Sequence, residues 1–279
     1  MMKGKVCMVT GANQGMGKAA SLELAKLGAT VIMVCRNERS GREAQKEIKR
    51  QSGNDSVELM IADLASQQSV RSMVQDFDSK FDKLHVLVNN AGGLFADKQS
   101  LLNEDGVEMN IAVNHLGSFL LTNLLLDKLI ASKSGRIVNF SSMVMSKTLN
   151  MKTYKGEETA APMKMYGQSK LAMIMSGYAL VRRLEGTGVT VNALHPGFVK
   201  TESAMKSIPK FLRPVIGLFA LSPEQGTKTA IYLVTSPELE GVTGKYYVNS
   251  KEKPSVPVSY DESKQESVWS YSAKLTGLA

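Results

Sequence analysis

Short unbroken apolar runs alternate along the chain with longer stretches in which apolar positions recur every three or four residues. The runs "KVCMVT" (5–10), "TVIMVC" (30–35), "VELMIA" (57–62), "LHVLVN" (84–89), "RIVNF" (136–140), "VTVNALH" (189–195) and "GKYYVN" (244–249) predict strands. "GKAASLELAKLG" (17–28) predicts a helix ended by Gly28, and the charged "SGREAQKEIKRQSG" (40–53) predicts a second. Residues 101–131 and 166–185 predict two longer ones. A strand with no polar alternation is covered on both faces, and strands alternating with helices imply parallel pairing through crossover helices. The expected fold is α/β, a doubly wound parallel sheet with helices on both faces.

No linker or internal repeat divides the sequence, so residues 1–279 are expected to form a single domain. Two segments interrupt the alternation, "MVMSKTLNMKTYKGEETAAP" (143–162) and "SAMKSIPKFLRPVIGLFALSP" (203–223). Each reads as a surface loop or as a lid over an apolar ligand. The second also reads as an amphipathic helix packed on the core.

Charge and composition narrow the function classes. The formal charge is +8, but the basic residues are spread along the chain without an arginine-rich tract or aromatic interleaving. That argues against nucleic acid and leaves an anionic small molecule or peripheral contact with a membrane surface. The N-terminus runs directly into a strand, so neither a signal peptide nor a membrane span is expected. Cys7 and Cys35 both fall in apolar runs, which suits free thiols in a reducing, cytoplasmic setting. The three histidines, His85, His115 and His195, are scattered, and no cluster has metal-ligand spacing.

"TGANQGMG" (10–17) joins the first strand to the first helix. Glycines at 11, 15 and 17 permit a tight turn and bring backbone N–H groups, with the positive end of the helix dipole, towards a pyrophosphate. A glycine string alone is weak evidence; strand before and helix after make it a dinucleotide turn of Rossmann type. The three-residue gap between the first two glycines departs from the usual spacing, and no Lys-Ser or Lys-Thr follows to make a P-loop. At the end of the second strand Cys35 stands where an NAD enzyme carries an acid, and Arg36 follows. A guanidinium binds a 2′-phosphate that a carboxylate would repel, so the expected cofactor is NADP(H). The competing reading of Arg36 is a solvated loop charge. Arg39 and Arg42 are auxiliary candidates. Asp63 in "IADL" (61–64) either meets the adenine amine or caps the following helix.

Further candidates follow the later strands: "NNAGG" (89–93), "VNHLGSF" (113–119), "IVNFSS" (137–142), "YGQSK" (166–170) and "HPGFVKT" (195–201). In this order, with TGxxxGxG, the motifs resemble the short-chain dehydrogenase/reductase family across residues 5–201. "CRN", "NHLGSFLLTNLLLDKL" and the C-terminal stretch are most similar to its retinol-dehydrogenase-like branch. The resemblance implies a tetrad of Asn114, Ser142, Tyr166 and Lys170. It also implies cofactor contacts from Gly11, Asn13, Gln14, Gly15, Met16, Gly17, Arg36, Asp63, Leu64, Asn90, Ala91, Gly92, Tyr166, Lys170, Pro196, Gly197, Val199 and Thr201. It assigns Asn114 to a water relay behind Lys170 and implies a homodimer paired through 101–131 and 166–185.

Tyrosine and lysine four apart share a helix face. A nearby ammonium would stabilise phenolate, letting Tyr166 exchange a proton with a reacting oxygen that Ser142 holds. Ser141 competes with Ser142, and the resemblance favours the second; the competing reading of Asn114 is a packed polar residue, Thr201 reads equally as a helix cap, and an isolated Tyr/Lys pair reads as an exposed face. The expected function is NADP(H)-dependent interconversion of a carbonyl and an alcohol, running towards reduction. The substrate is an apolar aldehyde or ketone, retinal being one candidate. The alternatives are a non-catalytic NADP(H) sensor or scaffold and an epimerase or dehydratase on the same fold.

Overall fold

The computed structural model of the chain describes residues 2–96, 102–200 and 220–279. Eight strands form one sheet in the order β3-β2-β1-β4-β5-β6-β7-β8. They are β1 (Val6–Thr10), β2 (Thr30–Cys35), β3 (Val57–Ile61), β4 (Val86–Asn89), β5 (Arg136–Phe140), β6 (Thr190–His195), β7 (Tyr246–Val248) and β8 (Lys251–Lys253). The first seven are parallel, and β8 returns antiparallel to β7. The strands predicted from apolar runs are therefore all present. β8 was not expected, because its Lys-Glu-Lys sequence is exposed and carries no apolar signal. Charged edge residues of this kind discourage pairing with another chain.

Each face of the sheet has its own core. Cys7, Val9, Val31, Met33, Val88 and Phe140 point to one side, where α1 (Gly15–Lys26), α2 (Glu38–Ser52) and a C-terminal helix pack. Met8, Ile32, Val34, Leu87 and Ile137 point to the other, against α3 (Gln67–Asp78) and the helices after β4. Alternation within a run thus selects a face, while burial on both faces makes the run apolar throughout. The helix ends follow local chemistry. The Asn37 side chain accepts from Ser40 N–H to start α2, and Gly53, at φ +67°, ends it in the left-handed region.

The long helix expected over 101–131 is broken. α4 (Met109–Ile111) runs into a π-helical turn, Ala112–Gly117, followed by α5 (Ser118–Leu124) and α6 (Leu126–Ala131). The turn is pressed against the Leu64 backbone: a Cβ on Gly117 would lie 2.3 Å from the Leu64 carbonyl oxygen. Wide turns of this kind are rare and occur mostly at functional sites. The second long helix starts earlier than expected, as α7 (Pro162–Arg183), with proline in its first turn. α8 (Pro223–Thr235) and α9 (Glu262–Leu275) follow among the described residues.

α9 packs against one side of α7 and of the π-helical turn. Arg182 donates to Gln265 at 2.6 Å and to Glu266 at 2.6 Å, and the Arg183 guanidinium sits 4.2 Å from the Trp269 ring centroid. His115 Nε2 lies 2.7 Å from Ser272 Oγ, and Phe119 meets Trp269 edge to face. The facing sides of α7 and the π-helical turn are thus buried within this chain. Segment 143–162 is anchored too. It contains a 3-10 turn, Met151–Lys155, whose Tyr154 is fully buried, and Asn150 N–H donates to Gln168 at 2.6 Å. Residues 203–219 of the other segment, and Thr201, lie outside the described residues.

Candidate active site

The strand order reverses between β1 and β4, so the loops after these strands diverge and leave a crevice at their C-terminal ends. A cavity of about 560 Å3 opens there. Its lining includes Gly11, Asn13, Gln14, Gly15 and Met16 from the first turn, Arg36 after β2, Asp63 and Leu64 after β3, and Asn90, Ala91 and Gly92 after β4. The sequence motifs come together here because each follows the C-terminal end of a parallel strand.

Thr10 ties two of these turns together. Its Oγ1 accepts from Asn90 N–H at 3.0 Å and Ala91 N–H at 2.9 Å, and Asn90 Nδ2 donates to the Thr10 carbonyl. Gly11, at φ +65°, makes the left-handed bend. Gly17 is not in the lining; it lets α1 approach the turn, since a Cβ there would sit 2.2 Å from the Gly11 carbonyl oxygen. Asn13 Nδ2 donates to Ser40 Oγ, tying the turn to α2.

Arg36 lines the cavity and is exposed, whereas Arg42 is engaged by Glu38 and, like Arg39, does not reach the lining. Asp63 accepts from Ala65 N–H at 2.9 Å within its own turn. It does not cap α3, because the Ser66 side chain does so. Asp63 therefore keeps a place in the cavity wall. Val199 is outside the lining: it is buried against Gly226 and forms a bridge with Leu221, so its side chain supports the wall. Pro196 and Gly197 are also absent from the lining, whereas the neighbouring Lys200, which the motif reading passed over, is present.

The proposed chemical residues meet beside this cavity. Ser142 leaves β5 and faces the Tyr166 phenol in the second turn of α7. Burial raises the Tyr166 pKa above its ordinary value, and the Ser142 hydroxyl offsets part of that rise. Lys170 Nζ lies 5.8 Å from the Tyr166 ring centroid. It donates to the Phe140 carbonyl at 2.7 Å. Burial lowers the ammonium's pKa to about 8. The expected lowering of Tyr166 by Lys170 is not seen: burial sets the direction of the shift, and the opposing contribution comes from Ser142. The competing Ser141 has its hydroxyl engaged elsewhere, donating to the Lys170 carbonyl at 3.1 Å.

Asn114 is fully buried in the π-helical turn. Its Nδ2 donates to the Gly93 carbonyl and to Ser169 Oγ, and its Oδ1 accepts from Gly93 N–H at 2.8 Å. Ser169 in turn donates to the Tyr166 carbonyl at 2.7 Å. Asn114 therefore braces the loop after β4 against the helix that carries Tyr166. A Cβ on Gly92 would lie 2.5 Å from Asn114 Oδ1 and 3.3 Å from Lys170 Nζ, which shows how closely the cavity and these residues adjoin.

Each histidine is engaged by a neighbour. His115 is buried beside Ser272, and burial pushes its pKa down to about 3. His85 Nδ1 accepts from Val6 N–H, and His195 Nδ1 accepts from Met143 N–H. Burial pushes the free Cys7 and Cys35 thiols up to about 12 and about 11. Among the described residues no group of His, Cys, Asp and Glu could hold a metal, and no helix is long and apolar enough to cross a membrane.

The cavity suits a dinucleotide. Its volume falls in the range of cofactor clefts, the helix α1 N-terminus opens onto it, and Arg36 supplies a cation in its wall. A model of the short chain dehydrogenase family matches residues 5–210. Human retinol dehydrogenase 14 is 40% identical over 297 residues, covering 100% of this chain and 88% of that protein. Human polyprenol dehydrogenase is 39% identical over 285 residues, covering 98% and 86%. A solved structure from Mycobacterium paratuberculosis superposes with a TM-score of 0.77 at 29% identity, covering 99% of this chain and 94% of that one.

Proposed function

The chain belongs to the short-chain dehydrogenase family, and on that premise we propose that it is an NADP(H)-dependent oxidoreductase that reduces an apolar, isoprenoid-type aldehyde to its alcohol. The observation that carries the reading is the meeting of Ser142, Tyr166 and Lys170 beside a dinucleotide-sized cleft. The cofactor preference rests on Arg36 in the cleft wall and on Cys35 in place of an acid.

The turn 11–16 would hold the pyrophosphate, Arg36 the 2′-phosphate, and Tyr166 with Lys170 the nicotinamide ribose. When bound, the cofactor supplies a hydride to the carbonyl carbon. Ser142 Oγ donates a hydrogen bond to the carbonyl oxygen and stabilises the charge that grows there. Tyr166, kept protonated by its burial, passes its phenolic proton to that oxygen. Lys170 places an ammonium near the phenol and lowers the cost of the phenolate that results. Asn114 keeps the loop after β4 and α7 in register while the proton moves.

The substrate class follows from the apolar side chains left exposed around these residues. Met143 and Val144 follow Ser142, Met163 lies one turn before Tyr166, and Phe198 sits in the loop after β6; all four are exposed. The names of the relatives above, retinol and polyprenol dehydrogenase, denote isoprenoid alcohols and agree with such a surface. The test is NADPH oxidation followed at the nicotinamide absorbance with retinal, a polyprenal and a short polar aldehyde. Turnover is expected with the two isoprenoids and much less with the polar aldehyde. Failure with every carbonyl would overturn the reading.

A further inference from the structure

The last parallel strand sends a side chain towards the candidate site. Tyr246 is opposite Ala193 in the β6–β7 register, and it and Tyr247 point to opposite faces of the sheet. Tyr247 joins the core under α8 and packs edge to face on Tyr232. Tyr246 is 3% exposed, packs with Ile174 and Ala193, and donates its hydroxyl to the Ser142 carbonyl at 3.2 Å.

The segment around Ser142 is otherwise tied on its other atoms. Ser141 N–H donates to the Leu194 carbonyl at 2.8 Å, Met143 N–H to His195 Nδ1 at 3.3 Å, and Val144 N–H to Ser142 Oγ at 3.0 Å. The backbone carbonyl of Ser142 itself is met by Tyr246, across β6. A serine that has left its strand gains a fixed backbone only if that carbonyl has a donor, and the rotamer of its hydroxyl depends on that backbone.

We propose that Tyr246 is a positioning residue for Ser142, holding the serine backbone so that its hydroxyl stays aimed at the reacting oxygen. The inference rests on the reading of Ser142 and Tyr166 as the reacting pair. It assigns a role to a residue beyond the family motifs, from a strand that closes the far side of the sheet. Tyr246 acts through the Ser142 carbonyl.

The experiment is a double-mutant cycle read by single-turnover NADPH oxidation with retinal. Tyr246→Phe removes one oxygen and keeps the ring. It is expected to lower the rate about 10-fold, with NADPH affinity and KM for retinal within twofold of wild type. Tyr247→Phe, on the opposite face, is expected to leave the rate unchanged. In a Ser142→Ala background Tyr246→Phe is expected to cost nothing further, because the hydroxyl it positions is gone. An unchanged rate for Tyr246→Phe, or the same loss in both backgrounds, would overturn the proposal; general loosening of the fold gives the second result. Tyr166→Phe run alongside separates the two failures. If it turns over normally, the reading of the site is wrong. If it is inactive while Tyr246→Phe is fully active, only the positioning role is lost.

Discussion

Replacing Lys170 with methionine measures what the fold gives up to keep a cation in the site. Burial lowers the ammonium from its ordinary 10.5 to about 8. At about 1.4 kcal/mol per pH unit, holding that charge costs the fold about 3 kcal/mol relative to the unfolded chain. Below pH 8 both folded and unfolded chains carry the proton and the cost is complete. Between 8 and 10.5 the folded chain has released the proton while the unfolded chain retains it, so stability rises with pH; above 10.5 the cost is gone. Lys170→Met lacks this titration and shares the others, so the difference between the two proteins isolates it. Loss of the bond to the Phe140 carbonyl costs about 1–3 kcal/mol at every pH and moves the difference without tilting it. Urea unfolding followed by circular dichroism is expected to show wild type gaining about 2–3 kcal/mol on the variant between pH 7 and pH 10. Parallel stability curves would refute the claim that a desolvated ammonium sits beside Tyr166.

Arg36→Ala is expected to weaken NADPH binding about 10- to 100-fold, the worth of a charge-assisted contact, and to leave NADH nearly unchanged; equal losses in calorimetric titration would remove the 2′-phosphate assignment. Gly17→Ala would place a Cβ 2.2 Å from the Gly11 carbonyl oxygen. Because the neighbour is backbone, the turn has to move, and titration is expected to show loss of NADPH affinity at least tenfold beyond that of the α1 control Lys26→Ala.

Most of the sheet was legible in the sequence, because a strand buried on both faces must be apolar at every position. "TVIMVC" and "RIVNF" announce themselves in this way, and the motifs between strands collect at one end of the sheet by topology alone. What was not legible depends on contacts between distant segments. β8 is charged and short, so nothing in "KEK" marks a strand. The π-helical turn arises where Gly117 meets the Leu64 backbone, a contact that a helical hydrophobic pattern does not encode. Val199 looks like its motif neighbours in sequence, yet Gly226 takes its side chain and leaves Lys200 at the cavity. The side of α7 under α9 reads as apolar in sequence, and nothing in that pattern names α9 as its cover; the contacts of Arg182 and Arg183 with α9 do. The Tyr166 phenol shows the same limit in energetic terms. Spacing places the lysine nearby, but burial sets the sign of the shift.

The proposed reaction turns on Tyr166 handing its proton to an oxygen held by Ser142 next to the cofactor. A crystal structure of the protein with NADP+ and a retinol analogue tests this most directly. The Tyr166 and Ser142 hydroxyls are expected both within about 3 Å of the analogue's oxygen, with the nicotinamide against Tyr166. A phenol turned to bulk solvent, or an oxygen held by other groups, would contradict it.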